Sequence, residues 1–533
     1  MRKGTVFCLS LLLLFATSLH AEEEEPAQPE SKASYAAAVG SVTIDGKQWQ
    51  RISLRPDIPI GKFGVALDIE IFVDDQGNFN KKGWDFDTTE DAVESVLRKI
   101  YYVRYGRSGE PVFVKVGALD NVTLGYGLMM EGYCNSLEYP GVKKLGLQFD
   151  VRNLSPMDVG IQGMINNFED LGRAGAVIGG RLSARPMATM GIPVLSKLEI
   201  GAGYVRDMDQ FGGFRDTDDD TYPDVVDDFP DDGDRWVDTD GNGIADPEDI
   251  DDDGNGVIDG DWGQEGNTLT KEQVDALTAS GIPVDLAVDR KTPFTTDEED
   301  AFSMVGFDLG IPVVERGPLN VTLYGQYAMS LDDEDGQKAE GFGLAAPGVR
   351  VKMGPMGAKL EYRRLDGRFL PEYFDRLYES QRAQIDLSTG IPILKDASLD
   401  SVVLSGVFGS ADLNLANLVG VSAGYQYLTG DADEEDDQVR QLFSARASLT
   451  SMMLERIPKV DAAEAYYLKN DIGAEEDKGF FEATTGTLYG YKLGLALSSG
   501  VSLVWNAQYQ YRITEGGDLE SEKNVVIETV MRF

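Results

Sequence analysis

The segment VSLVWNAQYQYRI alternates along its whole length. Val501, Leu503, Trp505, Ala507, Tyr509, Tyr511 and Ile513 fall on one face, and Ser502, Asn506, Gln508, Gln510 and Arg512 on the other. A period of two residues is the period of a β-strand. It recurs in GVALDIEIFVD, where Val65, Leu67, Ile69, Ile71 and Val73 oppose Asp68, Glu70 and Asp74, and in SKLEIGAGY. Half-apolar, half-charged strands have two homes: a soluble sandwich with its polar face in outside water, or a membrane barrel with its polar face turned inward. Alternation alone does not choose between them.

The strand ends do choose. AGYVRDMDQ, YGQYAMS, GYQYLTG and QYQYRIT each run aliphatic residues into tyrosine and then into a strongly acidic stretch. Aromatic rings at the edge of an apolar band, followed by charge, fit a membrane interface with water beyond it. The opposite ends are short and share a weak repeat, GIPV or GIPI from Gly191, Gly310 and Gly390, in which proline interrupts the ladder where strands turn. The chain opens with Arg2 and Lys3, an apolar run of about 13 residues and a cleavage point after Ala21, which reads as an export signal.

The last segment, NVVIETVMRF, places Val525, Ile527, Thr529, Met531 and the terminal Phe533 on one face. It resembles the C-terminal strand of bacterial outer-membrane β-barrels, which implies recognition of Phe533 by the outer-membrane assembly machinery. The expected fold is therefore all-β: a transmembrane antiparallel barrel of about 18 strands, within a range of roughly 14 to 20, with a loop insertion. The expected organisation is a signal peptide over 1–21, an acidic periplasmic arm over 22–40, barrel over 41–206, an acidic insert over 207–300 and barrel again over 301–533. Thr88 to Ile100 has helical spacing behind an N-cap threonine and is assigned to a loop or the lumen.

The insert breaks the strand pattern with 94 residues, of which 31 are acidic and 5 basic. Such charge holds a chain extended unless something neutralises it. Its spacing points to a hard cation. Asp216, Asp218, Asp220, Asp224 and Asp227 stand at steps of 2, 2, 4 and 3. Asp238, Asp240, Asn242, Asp246 and Asp249 repeat those steps, and Asp251, Asp253, Asn255 and Asp259 begin them again. Oxygens at every second residue of a tight loop converge on one ion, glycine at Gly243 and Gly256 supplies the turn, and six to eight loosely arranged oxygens suit Ca2+ better than Mg2+. Charge alone, as in a merely solvated acidic loop, would not repeat in register. These loops resemble thrombospondin type 3 repeats over about Asp216 to Asp261, which implies calcium as the cofactor. Two departures stand out: Thr221 replaces the turn glycine of the first loop, and Trp262 stands where the third loop would have its last carboxylate.

Function is narrowed by what is missing. The only histidine, His20, precedes the cleavage point, and Cys134 is the only cysteine after it. That excludes Ser-His-Asp triads, Cys-His dyads and ordinary zinc sites, so no enzyme is expected. After cleavage 46 basic residues face 91 acidic ones, a balance that excludes nucleic-acid partners. The expected function is a porin-like channel in the outer membrane of a Gram-negative bacterium, passing small polar solutes by passive diffusion, with the calcium-stabilised insert outside the cell. Its partners are outer-membrane lipid and the assembly machinery, with homo-oligomerisation open. Candidate pore-lining charges are Asp68, Glu70, Arg363, Arg364, Lys492 and Arg512, beside Arg532 and Glu528; each could equally be an inward salt bridge that holds the wall. The alternative is a calcium-dependent surface or adhesion protein anchored by its barrel.

Overall fold

In this computed structural model the described residues are 34–532 apart from 45–46, 75, 80–83, 85, 87, 89–91, 93–94, 138, 140–141, 155–156, 173–174, 219, 231, 260–268, 286–290, 297–299, 333–337, 387–390, 416–417, 431–438, 455, 473–478, 499 and 514–518. Twenty antiparallel strands form one closed sheet, counting Phe63–Leu67 and Ile69–Val73 as a single strand interrupted at Asp68. Each strand pairs with the next in sequence. The first, Ser34–Ile44, closes the circle against the last, Leu519–Arg532, in the register Ala36 to Arg532 through Val42 to Val526. An even number of antiparallel strands leaves both chain ends at the same rim.

That rim also carries the tight connections, such as 317–318, 354–355 and 499–500, and none there exceeds 14 residues. The opposite rim carries the long ones: 74–99, 118–145, 166–176, 208–301 and 368–401. The acidic insert therefore leaves the barrel from the long-loop rim, away from the termini.

The faces follow the alternation. Phe307, Leu309, Leu323, Leu360, Val407 and Trp505 are exposed on the outer wall, whereas Arg51, Asp68, Glu361, Arg363, Gln426 and Glu528 are buried inside. Toward the long-loop rim the outer face carries Tyr204, Tyr425 and Tyr427, together with a stack of Tyr489 on Tyr509 at 4.8 Å. An apolar belt edged with rings is stable against hydrocarbon, not water.

Several expectations need correction. Ser34 to Gly40 is not an arm but the start of the first strand; its run of alanines carries too little hydrophobic contrast to display the alternation. The third GIP segment closes no barrel strand: Ile391–Leu394 pairs with Ala383–Asp386 in a small hairpin within the long connection 368–401. Proline marks an interrupted ladder without saying at which rim. Arg364 cannot share the interior with Arg363, because adjacent strand residues point to opposite faces, and it is exposed outside. In 88–100, residues 92 and 95–97 are helical and Ile100 opens a strand. The signal segment and Phe533 lie outside the described residues.

Leu309 sits at the middle of the 15-residue strand Phe302–Arg316 and is 52% exposed on the outer wall. Leu309→Arg should destabilise the barrel in lipid vesicles by about 2–4 kcal/mol, read from urea unfolding. A loss no larger than that of Leu309→Ala would mean that this face does not meet hydrocarbon.

Candidate metal centre and barrel lumen

The three acidic loops fold alike. In each, the sixth residue has a left-handed backbone, with φ of 81° at Thr221, 88° at Gly243 and 83° at Gly256. That turn aims the sixth N–H back at the first carboxylate: Thr221 donates to Asp216 at 2.9 Å, Gly243 to Asp238 at 2.7 Å and Gly256 to Asp251 at 2.9 Å. The seventh N–H donates to the fifth side chain in every loop, Tyr222 to Asp220, Ile244 to Asn242 and Val257 to Asn255, at 2.7–2.8 Å. The ninth carboxylate is a staple, accepting the second residue's N–H at 2.7–2.8 Å: Asp224 from Thr217, Asp246 from Thr239 and Asp259 from Asp252.

These bonds leave the odd-numbered oxygens facing one another. In the first loop one oxygen each of Asp216, Asp218 and Asp220 lies within 4.8 Å of the others. Asp227, the twelfth residue, is 7% exposed and its Oδ2 has no hydrogen-bond partner among the described residues. Burial, then Asp220 and Asp218, pushes its carboxyl up to about 6 against the Phe229 N–H it accepts. Asp218 is raised by burial and by the charges of Asp220 and Asp216. Convergent carboxylates held where their charge is costly fit a hard divalent cation, and the nearby Arg215 is turned to the ninth carboxylate, Asp224, at 3.1 Å.

The other two loops differ in one atom type. In the second, the Asn242 amide donates to Asp240 at 3.1 Å and to Asp249, the twelfth residue, at 2.6 Å. In the third, Asn255 donates to Asp253 at 2.8 Å and to Asp285 at 3.4 Å. Asp285 arrives through a parallel pairing of Ile258–Asp259 with Val284–Asp285 and stands where Asp249 stands in the second loop. No local spacing could have flagged it, since it lies 30 residues beyond Asn255. Lys291 also reaches back, its Nζ donating to Asp228 at 3.0 Å and to the Asp238 carbonyl at 2.7 Å. It supplies part of the positive charge that Asp238 to Asp261 lacks.

Inside the barrel, connections 118–145 and 368–401 fold back into the lumen and pack on each other. Glu372 N–H donates to Leu128 O at 2.8 Å, and Met130 bridges Phe374 in parallel. Leu128, Met130, Tyr133, Phe369, Phe374 and Tyr378 form a buried core against the inward wall residues Val205, Met304, Ala328, Leu365 and Leu404. This plug went unread in the sequence. Its one visible signal is the aromatic run RFLPEYFDRLY, which follows neither a strand nor a helix period.

The plug also pairs the wall's charges. Arg363 bonds Glu372 of the plug at 2.6 Å as well as Glu361. Lys359 donates to Glu131 at 2.7 Å. At the closing seam Arg51 bonds Glu70 at 2.8 Å, Glu528 and the plug's Tyr139, while Asp68 takes Arg55 at 2.8 Å and Lys143 at 3.3 Å. Asp68, Glu70 and Arg363 thus face inward but are sealed in ion pairs. Lys492 is different: it faces inward opposite Glu464 and stays exposed, beside the Arg446–Glu464 pair at 2.7 Å. Arg512 pairs in register with Glu520, and its side chain lies outside the described residues.

No family model and no curated protein matches the chain. Among solved structures it is similar to several from Pseudomonas aeruginosa. OccK5 (OpdH) matches at 9% identity over 94% of this chain and 98% of that one, with a TM-score of 0.34. The outer membrane protein OprD matches at 8% over 94% of each, TM-score 0.29, and the siderophore receptor PirA at 7% over 95% and 81%, TM-score 0.33. The closed strand register is what establishes the barrel.

A left-handed backbone costs a residue with a Cβ roughly 1–2 kcal/mol, and Thr221 alone of the three turn residues bears it. Thr221→Gly should tighten calcium binding about fivefold or more by isothermal titration calorimetry, and Gly243→Ala should weaken it comparably. Unchanged affinity in both variants would mean that the loops do not close on the ion.

Proposed function

We infer that the protein is an outer-membrane channel for passive diffusion of small polar solutes, with an extracellular, calcium-stabilised surface loop. The observation that carries the channel reading is the exposure of inward-facing charge beside the plug. The Arg446 side chain is 53% exposed although it faces into a closed barrel, and Glu464 and Lys492 stand next to it. A sheet of this strand number encloses more space than its own side chains fill. Water next to Arg446, Glu464 and Lys492 is the path a polar solute would take.

Asp216, Asp218, Asp220 and Asp227 would hold one calcium ion, and the second and third loops would hold theirs through Asp238, Asp240, Asn242 and Asp249, and through Asp251, Asp253, Asn255 and Asp285. The ion supplies positive charge; the chain supplies the turns and staples that present its oxygens. Its departure from the long-loop rim, opposite the termini, supports an extracellular position for the insert, where calcium is plentiful.

Planar-bilayer recording tests the channel. Steady conductance should appear, and Lys492→Glu should shift its selectivity toward cations. A silent protein would leave the barrel as an anchor for the insert. Protease added to intact cells should cut within Asp216 to Asp261 after chelation and spare it when calcium is restored. Protection that persists without calcium and vanishes only when the membrane is opened would place the insert on the periplasmic side.

A further inference from the structure

The plug is bonded to the insert at its entering root and to the two wall residues that flank the insert, Asp207 and Phe302, which pair in register. On the entering limb, Arg382 of the plug is fully buried; it pairs with Asp207 at 3.1 Å and donates to Asp209 O at 2.7 Å and Gly175 O at 2.8 Å. Tyr378 donates to Asp207 at 2.7 Å and Tyr373 to Gln210 at 2.9 Å. There is no slack in this contact: a Cβ at Gly213 would stand 2.5 Å from Arg382 Cγ. On the returning side Phe302, the first residue of the next wall strand, stacks on Tyr373 at 4.1 Å, and just before it Asp300 binds the entering limb, its N–H donating to the Asp209 side chain at 3.1 Å and its carbonyl accepting from Gln210 N–H at 2.7 Å.

From these roots the contacts run in both directions. Outward, Phe214 packs on Phe294 at 5.1 Å, and Thr296 N–H donates to the carbonyl of Thr221, the turn residue of the first acidic loop, at 2.9 Å. The first loop thus ties the two limbs together at Thr221, seven residues beyond Phe214. Inward, Arg382 pairs with Glu379 at 3.5 Å, and Glu379 accepts from Tyr133 and Lys144 of the other plug connection. Hydrogen bonds, ion pairs, one ring contact and the backbone between them link Thr221 to Tyr133 in the lumen.

We propose that calcium in the first acidic loop sets the order of the lumen plug, so that the barrel is a calcium-gated channel. The inference rests on the calcium reading of the insert and adds its consequence for the lumen. With an ion bound, Asp216, Asp218 and Asp220 are drawn together, the Thr221 carbonyl holds the Thr296 N–H, and the joined limbs hold Asp209 and Gln210 where Arg382 and Tyr373 are seated. Without it the three carboxylates repel, the limbs part and the plug loses its seat. Arg382 acts here as a positioning residue between insert and plug.

Cys134 provides the readout. It lies in the plug beside Tyr133 and is 2% exposed. In the full-length protein reconstituted in detergent or vesicles, its modification by a charged thiol reagent should be slow in calcium and about tenfold faster after chelation, a coupling of ordinary size for two linked sites. Calcium binding is measured in parallel by calorimetry. The double variant Asp218→Asn, Asp220→Asn, altered only in the insert, should label fast with or without calcium. Arg382→Gln should also label fast in both while still binding calcium; should it fail to assemble, the insert variant carries the test. Calcium binding with an unchanged Cys134 rate overturns the coupling and leaves the calcium reading standing. Absence of calcium binding overturns both.

Discussion

In hydrocarbon no backbone N–H or C=O can be left unpaired, so the pairing of the first strand with the last is the contact on which everything else depends. Ala36 to Val42 against Val526 to Arg532 turns an open sheet with two sticky edges into a wall without any. The seam is reinforced from inside by Arg51, which reaches Glu70 on one side and Glu528 on the other across 477 residues of sequence. Both carboxylates lie within the wall, and their charge is held by a guanidinium with the Tyr139 hydroxyl behind it. A buried charge is tolerable only when paired in this way.

Closure at twenty strands creates the next problem, because the wall's own side chains cannot fill the space. The two inward connections fill part of it. Their apolar residues cover the inward Val205, Met304, Ala328, Leu365 and Leu404, and their Glu131, Glu372 and Lys143 meet the inward Lys359, Arg363 and Asp68. Arg446 and Lys492 keep their exposure, although the strand of Lys492 meets the plug nearer the long-loop rim, where Leu488 packs on Leu137 and Leu377. The interior is therefore divided between a packed part and an open part in which charged side chains stay exposed.

The insert obeys different physics. It has almost no apolar core, and its order comes from side chains bonding backbone a few residues away, repeated three times. Tyr222 stacks on Trp236, 5.1 Å apart and nearly parallel, between the first two loops. Such loops are local enough that Asp216, Asp238 and Asp251 could be placed by counting, but counting also set Asp224, Asp246 and Asp259 among the ligands, where the structure has them accept the second residue's N–H as staples. Counting fails where the chain returns from a distance, as with Asp285 and Lys291.

What the sequence by itself determined is what has a short period: the inward phase of Asp68, Glu70 and Arg363, the outward phase of Trp505 and Tyr509, the turns at Gly243 and Gly256, and a barrel near its true strand number. A side-chain direction in a strand repeats every two residues, so a few neighbours reveal it. The same rule was enough to reject Arg364 as a lumen residue once Arg363 was placed. What only the tertiary structure decided is the plug and its attachment to the insert. Tyr133 meets Glu379 across 246 residues, and Arg382 meets Asp207 across 175. Neither member of such a pair carries a mark of its partner, because the barrel wall brings them together and its closure is a property of the whole chain.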